Sequence, residues 1–156
     1  MAIKVAIEMA YAFDVKAKAA EVFDVLSDVP TSASFFPKLA RLVDLGDDSF
    51  RWEMEAVGVG QLSLQTVYAS RYRSDRKAGT VHWTPVEGVG NAQIGGNWAI
   101  SAGKKATHIE FSLNAVVEVP LPGMMKMLIT PVVTAENEKL VEQYIDNLIV
   151  RFGGEV

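Results

Sequence analysis

Glu136–Gly154, ENEKLVEQYIDNLIVRFGG, is the stretch whose reading decides the fold. Leu140, Val141, Tyr144, Ile145, Leu148, Ile149 and Phe152 recur at spacings of three and four, so they form one apolar stripe on a helix. Glu136, Glu138, Lys139, Glu142, Asp146 and Arg151 supply the polar positions, and Gly153-Gly154 ends the helix. Such a stripe has to be covered, and the residues upstream determine by what.

Most of them read as strands. Ile3, Val5, Ile7, Met9, Tyr11 and Phe13 share one parity, with Lys4, Glu8 and Asp14 on the other, which is the pattern of a long half-buried strand. Ala17 to Asp28 places Ala19, Val22, Phe23 and Leu26 on one helical face. Pro30 stops that helix, and a short helical piece is expected around Ser32 to Phe36, before Pro37. From Leu39 to Pro120 the alternation has period two, with strands expected over 39–45, 49–57, 61–74, 79–85, 92–102 and 106–119. Gly46-Asp47-Asp48, Gly58-Val59-Gly60, Asp75 to Gly79 and Gly103-Lys104-Lys105 supply turns, and Val86 to Asn91 a looser loop. Short connections imply an antiparallel meander. The expected fold is α+β: a seven-stranded antiparallel sheet whose greasy face is gripped by the C-terminal helix, with two short helices after the first strand. With 156 residues and no linker, the chain reads as one domain, 1–156.

Composition excludes several functions. Apolar residues make up 49% and charged residues 22%, which suits a globular chain and not a disordered one. The net charge of -4 is spread without basic blocks, so nucleic acid and anionic membrane are not expected partners. There are no cysteines, which removes disulfides, thiolate metal sites and cysteine nucleophiles and fits a cytoplasmic setting. The N-terminus alternates like a strand and does not read as a signal peptide.

Val119–Val133, VPLPGMMKMLITPVV, holds three of the six methionines and three of the six prolines. Its prolines and Lys126 break any bilayer span, so no stable membrane insertion is expected. Apolar residues surround the would-be helix, so cover on at least two sides is expected. Met124, Met125 and Leu128 are then candidates for a flexible lid over one end of a pocket, with Pro122 starting the long helix and Pro131 kinking it.

Several segments carry a resemblance. Ala17, Ala20, Val22, Phe23, Leu26, Ser27 and Asp28 in the first helix, Phe35-Phe36-Pro37 after it, Gly95-Gly96-Asn97-Trp98 in a late strand, and Pro120-Leu121-Pro122 before the long helix resemble the START-like superfamily (SRPBCC). That superfamily includes Bet v 1-type proteins, polyketide cyclase/dehydrases and lipid-transfer proteins. The similarity covers nearly the whole chain. It implies a curved sheet wrapped around the long helix, with an apolar cavity between them for lipids, quinones or polyketides.

Strand parity sorts the residues that would face such a cavity. The inward set includes Phe50, Trp52, Met54 and Ala56, then Leu62, Leu64, Thr66, Tyr68, Ser70 and Tyr72. Later strands add Val81, Trp83, Ile94, Gly96, Trp98, Ile100, Ile109 and Phe111, with Gly96 expected to leave room beside it. Trp52, Met54, Thr66, Tyr68, Ser70, Tyr72, Trp83, Trp98 and Phe111, together with Met124, Met125 and Leu128, are the candidate ligand contacts. Their chemistry is that of an apolar pocket with a few orienting hydrogen bonds. Asn137, beside the helix stripe, is either a helix-start residue or faces the cavity mouth. His82 and His108 fall on the outward parity, and no motif for a catalytic residue, cofactor or metal appears. Three readings remain open: binding or transport of a hydrophobic small molecule, which is favoured; a polyketide cyclase/aromatase-type enzyme; and an interaction module whose cavity is filled by side chains. A monomer or homodimer is expected.

Overall fold

The computed structural model describes residues 2–59 and 62–156. Strand β1 (Ile3–Val15) leads into helices α1 (Ala19–Ser27) and α2 (Val29–Ala33), then β2 (Leu39–Gly46) and β3 (Ser49–Met54). A small hairpin, β4 (Val57–Val59) and β5 (Leu62–Leu64), precedes β6 (Val67–Asp75), β7 (Thr80–Pro85), β8 (Ala92–Ala102) and β9 (Thr107–Val119). A 3-10 turn over Gly123–Met125 runs directly into α3 (Lys126–Arg151).

The main sheet has seven antiparallel strands in the order β1-β9-β8-β7-β6-β3-β2, so the chain's first strand closes against its last. Burial alternates along β1 and β9, as the period-two pattern requires. The stripe of α3 is buried as expected: Leu140, Val141, Tyr144, Ile145 and Leu148 all lie inside, with Leu148 at 0% exposure. Each such apolar side chain contributes about 1.5–3 kcal/mol on leaving water. This is a helix-grip fold.

The end of α3 is fixed by glycine geometry. Gly153 and Gly154 both have positive φ, and their N–H groups donate to Val150 O and Ile149 O. These two bonds satisfy carbonyls that a helix terminus otherwise leaves open. The tail then returns to β1, with Ala17 N donating to Phe152 O at 2.9 Å and Val156 N to Asp14 O at 3.0 Å.

Four expectations change. Each of the strands expected over 49–57 and 61–74 is broken in two: the main-sheet ladder stops at Met54 and resumes at Val67, and β4 and β5 pair only with each other. Ala56, expected inside with Phe50, Trp52 and Met54, is exposed, and Val57, on the opposite parity, lines the interior instead. Gly60 of the expected turn and the side chain of Leu62 lie outside what is described. Second, α2 begins earlier than Ser32, because the Asp28 carboxylate accepts from Thr31 N and Pro30 sits in the first turn, where its missing N–H costs nothing. Pro30 therefore opens the second helix as well as ending the first. Third, Gly96 leaves no room. A Cβ there would meet Trp83 Cζ2 at 2.4 Å and Ser112 O at 2.5 Å, so the indole of Trp83 already fills that space. Fourth, Asn137 lies well inside α3 rather than at its start.

Candidate ligand cavity

The interior between sheet and α3 is lined by a chain of aromatic rings. Trp52 stacks on Tyr68 at 5.8 Å and meets Phe36 edge-on at 5.8 Å. Phe36 in turn lies 5.0 Å from Tyr144 of α3, and Tyr144 lies 6.1 Å from Trp98. Trp98 packs at 4.6 Å on Phe111, and Trp83 joins that pair to Tyr72. The strands supply these rings because alternate residues of β3, β6, β7, β8 and β9 point the same way, and in-register neighbours such as Trp52 and Tyr68, or Trp98 and Phe111, lie side by side.

Two adjoining cavities remain between the rings. The first, of about 50 Å³ open to the centres of water-sized molecules, lies under α1 and α2. The second, of about 70 Å³, opens beside the middle of α3. Phe36, Tyr68, Ile94, Leu113 and Val141 belong to both walls, so these five side chains are the partition. A water needs about 10–15 Å³ on this measure, so each space holds several.

The structure divides the expected contacts into three groups. Trp52, Tyr68, Tyr72, Trp83, Trp98 and Phe111 line the first cavity, and Met54 and Thr66 line the second. Ser70 points inward by parity but stands behind the wall, at 0% exposure, with its hydroxyl donating to Ile94 O at 2.8 Å. The methionine segment is a correction. Met124 is 86% exposed and Leu128 68%, Met125 is half-buried against the core, and none of them lines either cavity. Only Ile129 and Val133 of that turn of α3 are buried, so the helix there is covered on one side, not two. The end of the interior is covered instead by the β4–β5 hairpin, whose Val57 and Leu64 face Val133 and Asn137 across a third, smaller space.

Residues from the helices complete the wall. Ser32 of α2 and Tyr144 of α3 are hydrogen-bonded through their hydroxyls, an arrangement that strand parity has no means of finding. Tyr144 was legible as part of the α3 stripe, but Ser32 requires knowing where α2 docks. At the rim of the second cavity Lys38 pairs with Glu136 at 3.7 Å, and Asn137 donates to Val133 O. Lys38 adopts a left-handed backbone (φ +58°), which turns the chain after Pro37 into β2, and its carbonyl accepts Glu55 N at 2.8 Å. Both histidines lie outside the cavities; His108 pairs with Asp14 through Nδ1 at 2.7 Å.

The electrostatics of the interior are those of neutral donors. Burial pushes the Tyr68 and Tyr72 phenols well above their ordinary range. Burial likewise pushes Tyr144 up to about 12, against the opposing effect of its bond to Ser32. All three phenols stay protonated in neutral solution. The Trp52 Nε1 is buried without a hydrogen-bond partner. The first cavity's wall contains no acidic, basic or imidazole side chain. Among the described residues there is also no helix long and apolar enough to cross a membrane, and no acidic, histidine or cysteine cluster of metal-binding size.

Comparison with known proteins agrees with this geometry. No curated protein matches the sequence. Among solved structures, a START superfamily protein from Mycobacterium smegmatis superposes with a TM-score of 0.65 at 16% identity, covering 94% of this chain and 97% of that one. The Zhui aromatase/cyclase from Streptomyces sp. R1128 gives 0.57 at 18% identity, over 94% and 90% of the two chains. Norcoclaurine synthase from Thalictrum flavum gives 0.58 at 17% identity, over 94% and 88%. At these identities the likeness is one of fold. The family model described as polyketide cyclase / dehydrase and lipid transport matches residues 6–145, and the chain belongs to that family.

Proposed function

We propose that this member of the family binds and carries an uncharged, largely apolar small molecule in the two adjoining cavities. The observation that carries the reading is the wall of the first cavity: aromatic rings on nearly every side, with phenol, hydroxyl and indole groups as its only polar side chains, while Lys38, Glu55 and Glu136 stand at the wall of the second. An apolar ligand body gains by leaving water for such a wall, and a few neutral groups orient it. In the first cavity a charged ligand would lose its hydration without a counter-charge in return. As they stand, the spaces accept small molecules; a larger one requires Phe36, on the loop after α2, to swing away and join them. The Lys38–Glu136 pair lies on that route, and at 48% and 29% side-chain exposure it is an easily broken contact. A cytoplasmic carrier, monomeric or dimeric, is the setting this reading takes.

Native mass spectrometry of protein purified from its own host, followed by organic extraction, tests the proposal. The expected result is an adduct that extraction releases as an apolar, uncharged compound. Protein that arrives empty, and that takes up no apolar probe from solution, contradicts it.

The family description also covers cyclases, and the Ser32–Tyr144 hydroxyl pair gives that reading a proton donor inside the cavity. Holding a flexible substrate in a reactive shape needs few charged groups. Turnover of an extracted compound, lost in Tyr144→Phe while binding persists, would establish it.

A further inference from the structure

We propose that a polar cleft at the outer end of the first cavity binds an uncharged, hydroxyl-rich head group, a sugar or comparable polyol, on a ligand whose apolar part enters the cavity past Tyr72. The inference rests on the binding reading above and adds a second site to it, outside the apolar interior.

The cleft lies where the sheet meets the corner between α1 and α2. Its open space is about 370 Å³ on the measure used for the cavities, more than the two interior spaces hold together. Val29 and Tyr72 belong both to its wall and to the wall of the first cavity, so these two side chains are what separates one space from the other. Val29 is buried, while Tyr72 is half-buried, with the half-buried Phe50 edge-on against it at 6.0 Å. Phe50 has the parity of Trp52 on β3, and Tyr72 that of Tyr68 on β6. The aromatic lining of the interior therefore continues outward into a space that water reaches.

The polar groups around those rings are of both signs. Asp28 at the helix corner and Asp48 in the β2–β3 turn bring carboxylates, Arg73 of β6 a guanidinium, and Ser27 and Ser74 hydroxyls. Asp48 is fixed in place: its backbone is left-handed, at φ +60°, and its carbonyl accepts Tyr72 N at 2.8 Å. Nearby, Asp47 and Arg71 are paired with each other, and Asp28 accepts from Thr31 N. Among the described residues, neither Asp48 nor Arg73 has a partner of opposite charge. This mixture selects the head group. An anion would meet two carboxylates against one guanidinium, and a cation would meet Arg73. A neutral polyol donates to the carboxylates and accepts from the guanidinium at once, so it satisfies both signs. Its C–H face has Phe50 and Tyr72 to pack on, and its outer hydroxyls keep their water.

Hexyl β-D-glucoside and 1-hexanol carry the same chain and differ in the head; hexanoate and hexylamine add the two signs of charge. All four are titrated into protein labelled with ¹³C and ¹⁵N. The glucoside is expected to bind about tenfold or more tighter than hexanol. Nuclear Overhauser effects should run from its sugar protons to Phe50 and Tyr72, and from its chain to Trp83 and Phe111. Asp48→Gly, which suits the left-handed backbone, and Arg73→Ala, at an exposed position, should each weaken glucoside binding by about threefold or more and leave hexanol unchanged. If either variant does not fold, the contacts in the unmodified protein still decide. Equal binding of glucoside and hexanol, with no contact from the sugar to Phe50 or Tyr72, overturns this inference while leaving apolar binding intact. Tighter binding of hexanoate or hexylamine than of the glucoside overturns it as well, as does a sugar seated in the cleft with its chain left in water. Binding of none of the four overturns both this inference and the carrier reading.

Discussion

At the scale of single residues, the interior is defined by what each side chain has no space or partner for. Gly96 is one case: with Trp83 Cζ2 and Ser112 O both within 2.5 Å of any added Cβ, Gly96→Ala should cost about 2–3 kcal/mol, read by urea denaturation. The Gly95-Gly96 pair was conspicuous in the sequence, but its reason was not, because the occupant of the space comes from the neighbouring strand. Tyr144 is another. Tyr144→Phe leaves the buried Ser32 hydroxyl without its partner and should cost about 1–3 kcal/mol by the same measurement. The paired variant Ser32→Ala/Tyr144→Phe should recover part of that loss. Nine of the candidate contacts came from strand parity, and eight of them, all but Ser70, line a cavity. Parity works on strands because alternation is a property of the backbone. It says nothing about Ser32 or Phe36, whose positions depend on how α2 docks.

At the scale of elements, the long helix and the order of strands were legible because each has a period long enough to outweigh its exceptions. The breaks were not. Leu64 and Thr66 keep the parity of Tyr68, so nothing marks where the ladder resumes at Val67, and the parity change between Ala56 and Val57 is the only trace of the break after Met54. Apolar content likewise misled at Val119–Val133, where Met124, Met127 and Leu128 are in water, at 86%, 90% and 68% exposure. Met127→Lys should therefore change stability by less than about 0.5 kcal/mol, whereas a buried methionine such as Met54 replaced by alanine should cost about 2–4 kcal/mol. Pro131 sits inside α3, beyond the first turn, where it withholds a backbone donor from the helix. Pro131→Ala should raise stability by about 1–2 kcal/mol in thermal denaturation, given that the residue is exposed and its replacement is a strong helix former.

At the scale of the whole molecule, three buried phenols tie stability to alkaline pH. Tyr68, Tyr72 and Tyr144 all have folded pKa values above the ordinary 10.0, with Tyr144 at about 12. Above pH 10 the unfolded chain gives up phenol protons that the folded chain keeps, so stability is full below that value and falls as pH rises through it toward 12. Each phenol adds up to about 1.4 kcal/mol per pH unit to the slope. Urea midpoints between pH 9 and 11.5 should fall accordingly, and less steeply in Tyr144→Phe. The same three phenols, with the indoles around them, form the neutral wall on which the proposed function rests. A bound apolar probe should reveal that wall directly. With indanone bound to labelled protein, intermolecular nuclear Overhauser effects should run from its ring protons to Trp98, Phe111 and Tyr144, deep between sheet and helix. Effects confined to the exposed methyls of Met124, Met127 and Leu128 would contradict the account.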